Sequence, residues 1–326
     1  MIYDILNGKK TKTPVWFMRQ AGRYMTSYRA LKEKYDFVTM CLIPEISAEV
    51  AIMPVREFGF DAAIFFSDIL IPFIKSDIDL KYKPGPVIGK EIKNKNDFNN
   101  LKVCDVGDFD FASKAIKILA AELSSDKDLI GFVGSPFTVA YYLLNGDIKR
   151  LTDLKDEGLF DEFMEKVTLN ILNFAKAQID GGARIVQIFD TKAYLLPEDD
   201  YRIFSLPYAK KLNDEIKKYG AKTIYFFLGG LGLSKAALEV GADCFSVDSS
   251  ATISEFADVF KNLPLQGNLA PDALLVDKKD IERRIKSIVD EGRNINGHIF
   301  NLGHGLLKET TESNVAFAVD LVHRYR

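Results

Sequence analysis

Cysteine, histidine and tryptophan are all scarce in this chain of 326 residues. The three cysteines, Cys41, Cys104 and Cys244, are odd in number, widely separated and without CxxC spacing. That excludes a disulfide framework and points to a reducing compartment. His298 and His304 lie six apart on a run that reads as extended, so about 20 Å separates their backbones and they cannot share a metal. No group of Cys, His, Asp or Glu has ligand spacing, so neither a zinc nor an iron site is expected. The opening MIYDILNGKKTK has no apolar core behind a basic start, and no secretory signal is read there. The longest apolar stretch, 62–74, is interrupted by Asp68 and Pro72 and is too short to span a bilayer. An excess of positive charge is also missing. The formal net charge of −3 argues against a nonspecific nucleic-acid binder. A cytoplasmic protein with no membrane or nucleic-acid partner is the expectation, and any polyanionic ligand must be held by a local basic cluster.

What the chain does have is a recurring β-then-helix pattern. Runs fit for buried strands occur at 13–18, 61–67, 129–134, 184–189, 222–228, 242–247, 263–267 and 298–303. Helix signals fall between them: Pro44-Glu45 opens one helix, and Pro197 with Glu198, Asp199 and Asp200 opens another. From Lys278 to Gly292 charges alternate while Ile281, Ile285, Ile288 and Val289 share a face. Strands alternating with helices predict a parallel sheet covered by helices, and eight repeats predict closure into a single (β/α)8 TIM-type barrel. An open doubly wound sheet is the competing arrangement. No linker divides the chain, so residues 1–326 read as one domain. The segment 75–110 is polar, weakly periodic and reads as a long excursion after the second strand.

Barrel enzymes carry their chemistry at the C-terminal ends of the strands. There the sequence places Arg19, Asp68, Ser135, Asp190-Thr191, Gly229-Gly230, Asp248, Asn268 and His304. Turns after strands are polar in any case, so position nominates these residues without deciding among them. After the first run, MRQAGRYMTSYRALKEKY gathers Arg19, Arg23, Arg29, Lys32 and Lys34 around a single carboxylate, Glu33. Gly22 between the arginines favours a close turn over a regular helix. The cluster suits bidentate recognition of carboxylates, the alternative being a solvated basic face. Asp68 in FFSDILIPF is flanked by apolar residues, which reads either as a cap or as a ligand-binding carboxylate at the bottom of an apolar pocket. Gly229-Gly230-Leu231-Gly232 has the look of a phosphate-cradling turn without the full glycine pattern.

Six segments together resemble the uroporphyrinogen decarboxylase family, in the family's order. They are PVWFMRQAGRY (14–24), FDAAIFFSDIL (60–70), GFVGSPFTVAYYL (131–143), QIFDTKA (187–193), LQGNLAP (265–271) and NLGHGL (301–306). The resemblance implies a (β/α)8 barrel that pairs as a homodimer, needs no cofactor, and removes four acetate carboxylates from uroporphyrinogen III. It implies substrate contact by Arg19, Gln20, Ala21, Gly22 and Arg23, with Asp68, Arg19 and Arg23 as the catalytic set. Tyr142 matches the family's pocket tyrosine, Thr191 stands at a family serine, and His304 matches the family histidine. Lys32 stands where many members have a third arginine, Ala270 where an aspartate is frequent, and Ser249 where a tryptophan is frequent. Without a cofactor, the electron pair left by CO2 has to enter the substrate's own pyrrole, protonated at a ring α-carbon, and Asp68 has the character to stabilise that cation. Arg19, Arg23 or a bound water are the candidate proton sources. The nearest alternative is a corrinoid- or thiol-linked methyltransferase of the same barrel superfamily, which would need zinc held by His and Cys.

Overall fold

The computed structural model describes residues 1–76, 78–82, 85–89, 92, 97–98 and 100–326. Among them nine strands form, β1 (Ala62–Ile64), β2 (Leu80–Tyr82), β3 (Pro86–Ile88), β4 (Asp128–Gly134), β5 (Ile185–Asp190), β6 (Lys222–Phe227), β7 (Cys244–Ser246), β8 (Leu265–Leu269) and β9 (His298–Leu302). Seven of these make one parallel sheet in the order β1-β4-β5-β6-β7-β8-β9. Sequence order thus follows spatial order around the sheet, and helices between successive strands cover its outside. Residues of β4 to β9 are almost all buried, as expected of parallel strands covered on one face and packed into a barrel on the other.

The first predicted strand is corrected by the structure. The run 13–18 makes a single parallel bridge, Val15 to Phe300 of β9, in place of an extended ladder. Its hydrogen bonds nevertheless join both edges of the sheet. Phe300 N donates to Pro14 O at 2.8 Å, and Asp61 N, just before β1, donates to Val15 O at 2.8 Å. The eighth stave is therefore short, because the chain turns away at Arg19 to enter the site. Inside the barrel, Trp16 Nε1 donates to Gln266 Oε1 of β8 at 2.9 Å. Gln266 Nε2 in turn donates to Ser246 Oγ of β7 and to Gln187 Oε1 of β5. Such a network across the interior belongs to a sheet curled into a TIM-type barrel and not to an open doubly wound one.

The predicted helices lie where their signals put them. Helices span Pro44–Phe58, Glu198–Phe204 and Lys278–Gly292. In the last of these, Ile281, Ile285 and Val289 are buried and Asp277 caps the amides of Lys279 and Asp280. The excursion after β1 is not featureless. It contains the antiparallel hairpin β2–β3, paired Leu80 to Ile88 through Tyr82 to Pro86. Residues 77, 83–84, 90–91, 93–96 and 99 of the excursion lie outside the described residues. No described helix is long and apolar enough to cross a membrane.

Candidate active site

A cavity of about 310 Å³ opens at the C-terminal ends of the strands. Its walls are largely aromatic and aliphatic: Phe65 and Phe66 after β1, Phe132 of β4, Phe189 of β5 and Phe226 of β6. Into these walls project a few polar groups, the usual anatomy of a small-molecule site. Of the residues nominated from sequence, Arg19, Gln20, Ala21, Asp68, Tyr142, Thr191 and His304 line it.

Asp68 sits where the chain leaves β1 and turns into Ile71–Phe73. Its Oδ1 accepts from Leu70 N at 2.9 Å and from the Tyr82 hydroxyl at 2.7 Å. No described group donates to Oδ2. The side chain borders the cavity and is only half-buried by exposed area, yet protein atoms crowd it on nearly all sides. Burial is the largest influence on its acidity and pushes the carboxyl above its ordinary value. The Leu70 amide, the Tyr82 hydroxyl and the charge of Arg19 act against that rise. Asp68 thus caps a turn and faces the cavity with the same carboxylate.

Tyr82 could not be found from sequence. It lies on β2, fourteen residues downstream, in a stretch without a usable pattern, and only the hairpin returns it to Asp68. Pro86 of β3 also reaches the cavity wall.

Arg19 occupies the left-handed region, with φ of 61°. This conformation is costly for a non-glycine residue and marks a backbone fixed by its surroundings. The turn is held by Gln20, whose amide accepts from Phe17 N and donates to Ala62 O, and whose carbonyl accepts from the Tyr24 hydroxyl. Gln20 is therefore fully engaged with protein, and its contribution is to shape the turn. The aliphatic stem of Arg19 lies on Gly305, where any Cβ would overlap Cγ, Cδ and Nε. Gly305 is there because an arginine must pass.

His304 follows β9 and packs edge-on against Phe226, with ring centroids 6.1 Å apart. Gly305 N donates to its Nδ1 at 2.6 Å, so the neutral ring carries its proton on Nε2. Burial, then the charges of Arg19 and Lys192, hold its pKa below the ordinary value. At neutral pH His304 is consequently an uncharged hydrogen-bond donor. Tyr142 and Thr191 complete the polar lining from the helix Pro136–Leu143 and the end of β5.

The remaining nominations lie elsewhere. Gly22, Arg23 and Lys32 do not line the cavity, and Arg23 and Lys32 are exposed. Arg29 is spent on the turn itself, donating to the carbonyls of Arg23 and Tyr24 and to Thr26. The glycine turn at 229–230 holds no open anion cradle, because Asp248 Oδ2 already accepts from both amides. Asn268 is likewise engaged, donating to Asp248 O and Ala251 O. Ser135 and Asp190 are buried behind the wall. Ala270 precedes the turn Pro271–Leu274 and Ser249 packs on Gly303, so neither departure enters the cavity lining. Among the described residues no three His, Cys, Asp or Glu side chains come together to hold a metal ion.

The model of the uroporphyrinogen decarboxylase family matches residues 2–325. The chain belongs to this family. Uroporphyrinogen decarboxylase of Thermodesulfovibrio yellowstonii is 40% identical over 323 residues, covering 96% of this chain and 94% of that one. The enzyme of the same name from Syntrophotalea carbinolica is 37% identical, covering 99% of this chain and 97% of its own. Among solved structures, a methyltransferase from Methanosarcina mazei superposes with a TM-score of 0.83 at 18% identity, covering 99% of this chain and 97% of that one. That similarity concerns the fold alone. It places the family's barrel beside that of a methyltransferase without transferring the latter's chemistry.

Proposed function

We propose that the chain is a carboxy-lyase that converts the four acetate side chains of uroporphyrinogen III to methyl groups, giving coproporphyrinogen III and four CO2. The observation that carries this reading is Asp68, a carboxylate sunk among aromatic walls with Oδ2 unclaimed by any described donor. A carboxylate so placed accepts from pyrrole N–H groups, and a flexible macrocycle can turn all four of them toward one point. Each turn of the reaction consumes one proton and releases one CO2. Protonation of a pyrrole α-carbon makes the ring cationic. The bond to the acetate carboxylate then breaks, its electron pair neutralises the ring, and protonation of the exposed methylene with loss of the α-proton leaves a methyl group. Asp68 stabilises the cationic stage, where charge in a low-dielectric cavity counts for most.

In this reading Arg19 meets a substrate carboxylate at the mouth, and His304 Nε2, Tyr142 and Thr191 supply neutral hydrogen-bonding partners. Arg23, exposed on the same turn, acts farther out as part of the positive field that draws in an octacarboxylate. The whole chain works as one barrel domain, paired as a homodimer in the cytoplasm. Anaerobic incubation with uroporphyrinogen III, oxidation and mass analysis of the porphyrins is the direct test. A series losing up to four units of CO2 is expected, and unaltered uroporphyrinogen would leave only a binding protein.

Two substitutions probe the site separately. Gly305→Ala puts a methyl group under the flexible Arg19 stem, which can move aside without unfolding the turn. The guanidinium is then displaced, and KM for uroporphyrinogen should rise while the thermal midpoint stays near that of the wild type. Tyr82→Phe removes a donor that favours the charged form of Asp68. The carboxyl then rises further above its ordinary value, so the loss of kcat/KM on acidification should begin at a higher pH. An acid limb left in place would mean that Asp68 ionisation does not govern it.

A further inference from the structure

Lys192 follows Thr191 at the end of β5 and was not among the residues nominated by position or resemblance. Its ammonium lies 5.2 Å from the ring centroid of Tyr141 and 5.4 Å from that of Tyr142, and Tyr142 is part of the cavity wall. The side chain is half-buried. Among the described residues no carboxylate comes within ion-pair distance of it, whereas lysines elsewhere on the surface, such as Lys176 and Lys211, are paired. Two aromatic faces hold the ammonium from beneath and stabilise it modestly, but they leave its N–H groups without an anion.

The backbone under Lys192 is fixed from below. Lys192 N donates to Thr138 Oγ1 at 3.0 Å, and that hydroxyl donates to Asp190 Oδ1 at 2.6 Å. Asp190 is fully buried and also accepts from Ser205 and Tyr225. A buried, multiply bonded carboxylate thus anchors the turn that presents the lysine, and the β-strand end does not drift. Arg19 stands among the cavity's lining residues as a second cation without an ion-pair partner among the described residues. Both charges act on His304.

We infer that Lys192 is a substrate-binding residue whose ammonium takes a carboxylate of the tetrapyrrole at the cavity mouth, forming with Arg19 a two-cation grip. This rests on uroporphyrinogen as the substrate. One arm's length of tetrapyrrole separates a pyrrole held by Asp68 from its peripheral carboxylates, so cations belong at the rim and the aspartate at the floor. A lysine suits a rim position. It is a mobile point charge that follows a carboxylate as the macrocycle turns, where a guanidinium fork would fix one orientation.

The test compares wild type with Lys192→Met, which keeps the aliphatic stem on the tyrosines, and Lys192→Arg, which keeps the charge. Steady-state kinetics with uroporphyrinogen III should show KM raised about tenfold or more in Lys192→Met, from the loss of a charge-assisted contact. The fall in kcat should be several times smaller, Lys192→Arg should recover most of the affinity, and the salt dependence of KM should flatten in Lys192→Met. Independently of turnover, the three histidines of isotope-labelled protein can be titrated by NMR. The His304 midpoint should move up in Lys192→Met and remain in place in Lys192→Arg. An unmoved His304 midpoint would show that the ammonium does not face the cavity, and an unmoved KM that it does not hold substrate; either result overturns the inference. Wild-type enzyme that leaves uroporphyrinogen unaltered would instead overturn the functional reading, and the histidine titration would still report where Lys192 points.

Discussion

Asp68→Asn is expected to fold normally and to lower kcat by about 10²–10³, the typical cost of removing one preorganised electrostatic group. The amide keeps the shape of the carboxylate and can still accept at one oxygen, so the bonds from Leu70 N and Tyr82 need not be lost. What disappears is the charge opposite the cationic pyrrole. KM should change far less than kcat, because the ground-state pyrrole is neutral while the reacting ring is positive. Asp68→Glu restores the charge one methylene farther out and should recover part of the rate. The measurement is single-turnover decarboxylation, with circular dichroism as a check on folding. A folded Asp68→Asn variant as fast as wild type would reduce Asp68 to a cap for the turn at Leu70.

The largest effect on stability is expected at the opposite end of the barrel. Asp61, just before β1 and 1% exposed, is the hub of a four-way contact. Its carboxylate accepts from Val15 N at 2.9 Å, His323 at 3.0 Å, Lys127 at 3.2 Å and Arg326 at 2.8 Å. These partners come from the closing segment, the loop before β4 and the C-terminal helix Glu312–Tyr325 with its following residue. Asp61 therefore fastens the short eighth stave and the last helix to the sheet. Asp61→Asn presents an amide to groups that all donate, and should destabilise the fold by about 3–5 kcal/mol, as when one partner of a buried charge cluster is removed. Urea unfolding at neutral pH measures it directly. A loss below about 1 kcal/mol would mean that the cluster is solvated and its members independent.

Acid should act on the fold in two successive windows. Burial lowers the pKa of His298 to about 4, its Nε2 held by Gly267 O and its Nδ1 buried without a partner among the described residues. The unfolded chain takes up this proton near the ordinary value, so the native state loses roughly 3 kcal/mol as pH falls from about 6.5 to about 4. For Asp61, burial is the largest influence and raises the pKa. His323, the Val15 amide and Arg326 more than offset it, and the carboxyl lies below its ordinary value. Its stabilisation is complete above the unfolded value and disappears only as pH falls below that. Urea midpoints measured between pH 7 and pH 4 should fall in wild type. They should stay higher relative to neutral pH in His298→Gln, whose site carries no titration.

How much of this molecule could be read in advance depended on the range of the interactions concerned. The alternation of strand and helix is local, set by runs such as 129–134 and by signals such as Pro44 and Asp277, and the barrel class followed from it. The order of the cavity residues was also legible, because a barrel places the residue after each strand on one face. Asp68, Thr191 and His304 come together for that reason alone. The first stave was misjudged because TPVWFM has strand composition, while its extent is set by the left-handed turn at Arg19, by Gln20 gripping Ala62 O, and by Asp61 reaching back to Val15. Arg19 and Arg23 look equivalent in a line of text. Backbone geometry alone turns one into the cavity and leaves the other at the surface.

The sequence by itself determined the fold class and the placement of Asp68 and Arg19 after strand runs beside the cavity, since each follows from residue type and position relative to a strand. Tertiary structure alone decided the partners that set their chemistry. Tyr82 reaches Asp68 through a hairpin that no periodicity announces, and Lys192 acquires its tyrosine platform from a different helix. Asp248, on a separate turn, closes the glycine-rich site that the sequence left open. Hydrogen bonds and ion pairs are short-ranged in space and indifferent to distance along the chain, so they exist only once the barrel has closed.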